Sequence, residues 1–266
     1  MARRRITEKS IARMVKQGRG RGHGKDYKPW LTVTSFSSSG RVHRRLGQTT
    51  GRVQHLFSDM EEDVFLKFDG RADVLDIREQ FPLHRAETMV IADQLGVAHP
   101  AQHGVDVVMT SDLLVDLAGG RRVAIAVKPA SELGKRRIVE KLAIEREYWR
   151  RRGVQWKVVT GCSVSRAERI GAQERAQWAQ VARLQLPNAA DWDECADAML
   201  VELADAASGT LVEACQVAER LHGWVAGTGM SAVRRLLARG LVVLDGVARL
   251  TPFGAVTQLR LAGGEG

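Results

Sequence analysis

The chain has 266 residues, with 40 Lys or Arg against 31 Asp or Glu and a formal net charge of +9, which is length enough for two ordinary domains with their own cores. No run approaches the roughly 18 continuous apolar residues of a membrane helix, and "MARRRITEKS" lacks the apolar stretch of a signal peptide, so a soluble cytoplasmic protein without a membrane partner is expected. Three widely spaced cysteines, Cys162, Cys195 and Cys215, and seven scattered histidines speak against a disulfide framework or a Cys/His metal site.

The charge is uneven. Residues 1–50 hold 13 Lys or Arg and only two acids, Glu8 and Asp26, for a net +11, so the rest of the chain is slightly acidic at −2. Such an excess beside the Gly-rich "QGRGRGHGKDYKPW" suits a surface that meets phosphates. Residues 1–26 cannot bury enough apolar surface to order themselves and are expected to be a flexible basic arm. Lys28, Arg41, Arg44, Arg45 and Arg52 continue it as candidate DNA-backbone contacts. "YKPWLTVTSF" alternates like a strand, with "SSSG" as a turn after it.

Ser58 is a good N-cap for a helix over 59–69, with acids in its first turn. "DVLDIREQFPL" reads as a strand ended by Pro82, and "HRAETMVIADQLG" as an amphipathic helix with a Gly cap. A hairpin follows in "VMTSDLLVDLAGGRRVAIAVKPA", residues 108–130, then a long helix stopped by Gly153 and a strand, "VQWKVVT". A strand that follows a crossover helix usually returns parallel to its sheet. The order places an α/β domain over 27–165. Residues 166–266 change to Ala-rich helices, "DWDECADAMLVELADAASG", "TLVEACQVAERLHG" and "SAVRRLLARG", then two apolar runs around an Asp245-Gly246 turn. Three helices and a hairpin are the layout of a winged helix-turn-helix, with Arg234, Arg235 and Arg239 on the third helix as a face for DNA or for a protein.

The register of the 108–130 hairpin can be argued from stability. A three-residue loop at 118–120 puts Asp112 opposite Ala126, with Lys128 diagonal on the same face and Leu113, Val115, Val123, Ile125 and Val127 on the other. A two-residue loop would bury Asp112 and Asp116 among valines, at a cost of roughly several kcal/mol. The first register therefore leaves one core face and one polar face. An Asp beside a Lys on a strand is often only an ion pair. The added element is the helix carrying Glu61 and Glu62, from which one carboxylate can reach Asp112. That carboxylate, Asp112 and a strand carbonyl form a hard oxygen set that suits Mg²⁺, and Lys128 supplies positive charge at a phosphate. The site and the αβββαβ order are those of the PD-(D/E)xK nucleases.

Longer strings narrow the family. "YKPWL", "SSSGRVHRRLGQTTGRVQHLFSDMEEDVFL", "DIREQFPL", "AETMVIADQLGVAHP", "MTSDLLVD", "VAIAVKPASEL" and "EKLAIEREYWRRRGVQWKVVT" together resemble the TnsA family, the endonuclease subunit of Tns-type transposases. The likeness is close over residues 25–160. It implies a protein of the bacterial nucleoid that nicks the 5′ strands at transposon ends, beside a TnsB-like DDE transposase that cuts and joins the 3′ ends and a TnsC-like ATPase regulator. It also implies metal-binding roles for Glu61, Asp112 and the main-chain carbonyl of Val127, toward Mg²⁺ with Mn²⁺ as a substitute, and catalysis by Lys128, with Glu61 favoured over Glu62 by the "SDxE" phrase. One position departs from the family pattern: Ala126 stands two residues before the lysine, where a polar or acidic side chain is usual. That leaves a weaker metal site, compensation by Glu79 or Glu132, or loss of cleavage, and retained cleavage is the reading adopted. A non-catalytic adaptor of the same fold and a nuclease that acts alone are the rival readings.

Overall fold

The computed structural model describes residues 6–34, 41–161, 189–206, 208–245 and 250–262. They fall into two compact units, Met1–Asp69 with Asp73–Val164, and Gly70–Ala72 with Ser165–Gly266. Cys162 and most of the expected junction between domains lie outside the described residues.

In the first unit, α1 (Glu8–Lys16) opens with a capping box: Thr7 Oγ1 accepts the Ser10 N–H at 3.1 Å and Ser10 Oγ accepts the Thr7 N–H at 2.9 Å. A 3₁₀ turn (Gly24–Asp26) follows. The expectation of a flexible arm through residue 26 is thus corrected. Gly18, Gly20, Gly22 and Gly24 all take positive φ, which glycine adopts without strain, and the chain folds back on itself through Gly20 N–H to Lys28 O (2.6 Å) and Lys28 N–H to Arg21 O (3.0 Å). The burial of Tyr27 and Trp30 then holds the segment down. The expected strand after Tyr27 does not form: residues 27–34 are coil and turn, and Phe36 and the "SSSG" turn lie outside the described residues.

Strands β1 (His43–Leu46) and β2 (Val53–Leu56) make an antiparallel pair. Helix α2 (Asp59–Phe68) starts at Ser58, whose hydroxyl accepts the Glu61 N–H at 3.1 Å, as its sequence predicts. Next come β3 (Val74–Pro82), α3 (Arg85–Gln94), the two-residue strands β4 (Ala101–Gln102) and β5 (Val105–Asp106), β6 (Thr110–Leu117), β7 (Arg122–Val127), α4 (Arg136–Arg150) and β8 (Gln155–Val159). The main sheet has the order β3-β6-β7-β8. β6 is antiparallel to β3 and β7, and β8 returns parallel to β7, as a crossover through α4 requires. The domain is therefore mixed α/β in the order α2, β3, β6, β7, α4, β8.

The β6–β7 register is the one that stability favours, with Leu113 opposite Ile125 and Val115 opposite Val123. Its three-residue loop closes through Leu117 N–H to Arg121 O at 2.8 Å, with Gly119 and Gly120 at φ 72°. The division of faces needs correction. Leu114 and Ala124, on the Asp112 face, are wholly buried in a cluster with Ile91 of α3 and Ile144, Tyr148 and Trp149 of α4. Ile77, Leu113, Val115 and Ile125 bury the opposite face. The sheet is thus covered on both sides, with a polar group at each end of the Asp112 face: Asp112 itself at one end, and Asp116 with Arg78 and Arg122 at the other.

In the second unit, α5 (Ala189–Asp205), α6 (Leu211–His222) and α7 (Thr228–Arg239) bury Met199, Leu211, Cys215, Val233 and Leu236 together. Gly229 is required at its position because a Cβ there would meet Cys215 Cβ at 2.8 Å. β9 (Val242–Leu244) pairs antiparallel with β10 (Leu259–Leu261). The partner of β9 is therefore not the run directly after Asp245, as a tight Asp245-Gly246 turn would require, and Gly246 lies outside the described residues. No helix among the described residues is long and apolar enough to cross a membrane.

Candidate active site

Asp112 sits on β6 where the two ladders, continued by one pair, set it between Gln80 of β3 and Ala126 of β7. Its Oδ2 accepts the Val127 N–H at 2.6 Å and the Lys128 ammonium at 2.8 Å, and the same ammonium donates to the Val127 carbonyl at 2.7 Å. Burial pushes the Lys128 pKa down, but the charge and hydrogen bond of Asp112 outweigh it, and the ammonium is held above the ordinary lysine range. A carboxylate and a main-chain carbonyl thus converge on one cation, and here that cation is the ammonium. The donors are hard oxygens, as a divalent ion such as Mg²⁺ requires.

Glu61 lies in the first turn of α2, 7% exposed. Its Oε2 accepts the Phe57 N–H at 2.9 Å and the Gln80 side-chain amide at 3.3 Å. Burial first, and then the negative charge of Asp112, push its carboxyl well above the usual carboxylate range. Two carboxylates facing one another in a buried place repel unless a proton or a cation comes between them. Glu62 turns elsewhere: it is bound by Arg45, and its Oε2 lies 3.3 Å from His43 Nδ1. Of the two acids, Glu61 is the one in electrostatic contact with Asp112 and Lys128.

Neither acid expected to compensate for Ala126 reaches the site. Glu79, wholly buried, is clamped by Arg52 and also accepts the His55 N–H at 3.0 Å. Glu132 pairs with Lys135 at 3.0 Å. Two other residues stand beside the carboxylates instead. One is Gln80. The other is Glu145 of α4, whose Oε1 accepts the Ser111 hydroxyl at 2.6 Å while Ser111 accepts the Trp149 indole N–H at 2.7 Å. Burial, and then the charge of Asp112, raise Glu145 to about 7. Its signal in the sequence is an acid at the apolar phase of α4, three residues from Leu142 and Tyr148. Glu145, Lys128, Thr110 and Lys141 line a cavity of about 210 Å³ with an apolar floor of Val107, Met109 and Leu142. Lys141 has no acidic partner among the described residues, and burial, then the charges of Arg137 and Lys128, press its pKa down.

The expected DNA contacts divide. Lys28, Arg41 and Arg44 are exposed. Arg45 is committed to Glu62. Arg52 is not a surface cation at all: it holds Glu79, donates to Gly24 O (3.1 Å) and Ile77 O (3.0 Å), and lies over the Tyr27 ring at 4.9 Å. On α7, Arg235 and Arg239 bind Asp193 of α5 at 2.8 and 3.3 Å, and Arg239 also lies 3.4 Å from Asp197, while Arg234 is half-buried. Arg235 and Arg239 thus tie α7 to α5. Among the described residues, two further groups converge closely enough to hold a cation, His43 with Asp59 and Glu62, and His23 with Asp76 and Asp116. Each is already neutralised in part by an arginine, Arg45 or Arg78.

Residues 71–161, the span from β3 to β8 that contains Asp112 and Lys128, match the family described as the TnsA-like endonuclease N-terminal domain. An endonuclease-type α/β domain is thus the class to which this part of the chain conforms. Over 246 residues the chain is 38% identical to the transposon Tn7 transposition protein TnsA of Escherichia coli, an alignment that covers 89% of this chain and 86% of that protein. The chain belongs to the TnsA family.

Proposed function

We propose that the protein is a divalent-metal-dependent DNA endonuclease of the PD-(D/E)xK type that nicks the 5′ strands at transposon ends. In this reading it works with a TnsB-like transposase and a TnsC-like ATPase, and the C-terminal unit docks the ATPase or DNA. The observation that carries the reading is the convergence of Asp112 Oδ2 and the Val127 carbonyl on one cationic position, with Glu61 facing Asp112.

Glu61, Asp112 and the Val127 carbonyl would hold Mg²⁺, or Mn²⁺ in its place. The ion would supply an activated water and polarise the phosphate. Lys128, released from Asp112, donates to a non-bridging oxygen of the scissile phosphate and offsets the charge that develops there. Lys141, across the cavity from Lys128, meets a neighbouring phosphate, and the exposed Lys28, Arg41 and Arg44 take the backbone further out. Ala126, 1% exposed, contributes space rather than a ligand.

The test is strand nicking of transposon-end DNA in the assembled complex with Mg²⁺. Asp112→Ala is expected to abolish nicking while leaving the thermal unfolding midpoint near that of the wild type. Undiminished nicking by that variant overturns the assignment. Wild-type protein that supports complex assembly without cutting identifies an adaptor, and cutting by the isolated protein identifies a nuclease that acts alone.

A further inference from the structure

Gln80 is the one non-glycine residue of the main sheet with a positive φ. Its φ is +47°, a region that only glycine, and less readily asparagine or aspartate, enters cheaply. The departure does not serve to shift the strand. β3 and β6 stay in register on both sides of it, with Glu79 opposite Leu113 and Phe81 opposite Ser111. What the left-handed backbone changes is the direction of a peptide: the consecutive Glu79 and Gln80 carbonyls both face the N-terminal segment, accepting from the Tyr27 hydroxyl and the Trp30 N–H, while the side chain stays on the Asp112 face. Such strain persists where the surroundings over-determine it, and it concentrates at functional sites.

The surroundings are specific. The Gln80 carbonyl accepts the Trp30 N–H at 3.3 Å. The side chain, in a residue 4% exposed, is held at both ends: Thr110 Oγ1 donates to Oε1 at 3.2 Å, and Nε2 donates to Glu61 Oε2 at 3.3 Å. Once a bound cation keeps Glu61 ionised, its carboxylate can only accept, so the amide nitrogen is the end that suits Glu61 and the oxygen the end left for the threonine. Gln80 and Ala126 flank Asp112 from its two neighbouring strands. One carries a buried amide and the other carries only a methyl.

We propose that Gln80 is a positioning residue of the cleavage site, whose amide holds the Glu61 carboxylate toward Asp112 and supplies from β3 the polar support that Ala126 cannot give from β7. The inference rests on the metal-dependent reading above. It assigns Gln80 no contact with DNA or with the reacting atoms.

The test is calorimetric titration of Mn²⁺ into the full chain, for the wild type, Gln80→Leu, Gln80→Gly and, as the control for the site, Asp112→Ala. Outer-shell partners of metal ligands typically contribute about 10- to 100-fold in affinity. Both Gln80 variants are therefore expected to raise the Kd for Mn²⁺ by about 10-fold or more, and their nicking is expected to recover in part at saturating metal. Glycine also relieves the positive φ, so Gln80→Gly is expected to melt no lower than Gln80→Leu while it binds metal just as poorly. A purely structural role would instead make affinity follow the melting point. Wild-type affinity in both variants overturns the role of Gln80 and leaves the metal reading intact. If the wild type shows no Mn²⁺ binding that Asp112→Ala removes, the metal reading falls and this inference falls with it.

Discussion

Lys128 and Asp112 close a small ring. The ammonium donates to Asp112 Oδ2 at 2.8 Å and to its own neighbour's carbonyl, Val127 O, at 2.7 Å, while the Val127 N–H donates to that same Oδ2 at 2.6 Å. The lysine therefore occupies the donors that a divalent ion would use. Lys128→Ala is expected to lower the nicking rate by about 10²- to 10³-fold, as loss of a charge-stabilising donor does. Mn²⁺ affinity in the same variant should hold or tighten, since a competing cation has gone. A Kd that rises in parallel with the loss of rate would show that the lysine supports the metal rather than competes with it.

Glu61 and Glu145 give the metal-free protein a pH dependence with a definite sign. Burial first, and then the charge of Asp112, raise both carboxyls, Glu145 to about 7. A carboxyl raised on folding binds its proton more tightly in the folded state, so the stability it contributes is full below the unfolded value of about 4.3 and is lost as the pH climbs through the folded value. In the presence of a chelator, the thermal midpoint should fall between about pH 5 and pH 8 by this linkage, and Glu61→Gln with Glu145→Gln should flatten that slope. A midpoint that rises over the same interval in the wild type would contradict it.

Among the described residues, Arg52 is the one cation paired with the wholly buried Glu79. Arg52→Ala should lower the unfolding free energy by about 3–5 kcal/mol in urea, because it strands a carboxylate in the interior. Arg52→Met combined with Glu79→Met should recover much of that loss. Weakened DNA binding with unchanged stability would return Arg52 to the surface role that its sequence context suggests.

Lys141 offers a cleaner electrostatic test. Lys141→Gln should weaken binding to end DNA and to unrelated DNA alike, and should reduce the slope of log affinity against log salt by about 1, the signature of one phosphate contact. An unchanged slope would remove Lys141 from the DNA path.

The β6–β7 hairpin was legible because its constraints are local: Gly119 and Gly120 set the loop, and a slip of one residue would bury Asp112 and Asp116 without partners. Ser58 and the apolar run after it likewise place Glu61 within one turn of its true position. The N-terminal segment was not legible, since what orders it spans 52 residues: Gly24 N–H to Asp76 (3.1 Å) and Tyr27 Oη–H to Glu79 O (3.1 Å). Composition carries no trace of such pairings. Gln80 was missed for a different reason. Alternation treats a glutamine in a strand as a surface residue, and nothing in "REQFP" announces a left-handed backbone. Arg52 and Arg235 show the limit of reading charge along a chain, for both are cations whose partners, Glu79 and Asp193, lie more than two dozen residues away.

The segment around Tyr27 and Trp30 also settles how the sheet ends. β3 is an outermost strand, and an unpaired strand edge is a template on which a second chain can add itself. Here its carbonyls are already taken: Ile77 by Arg52, Glu79 by the Tyr27 hydroxyl, and Gln80 by the Trp30 N–H. The basic N-terminal segment thus doubles as a guard against self-association, and a chain shortened past Trp30 would free the Glu79 and Gln80 carbonyls and is expected to aggregate through β3 with Asp112 and Lys128 still in place.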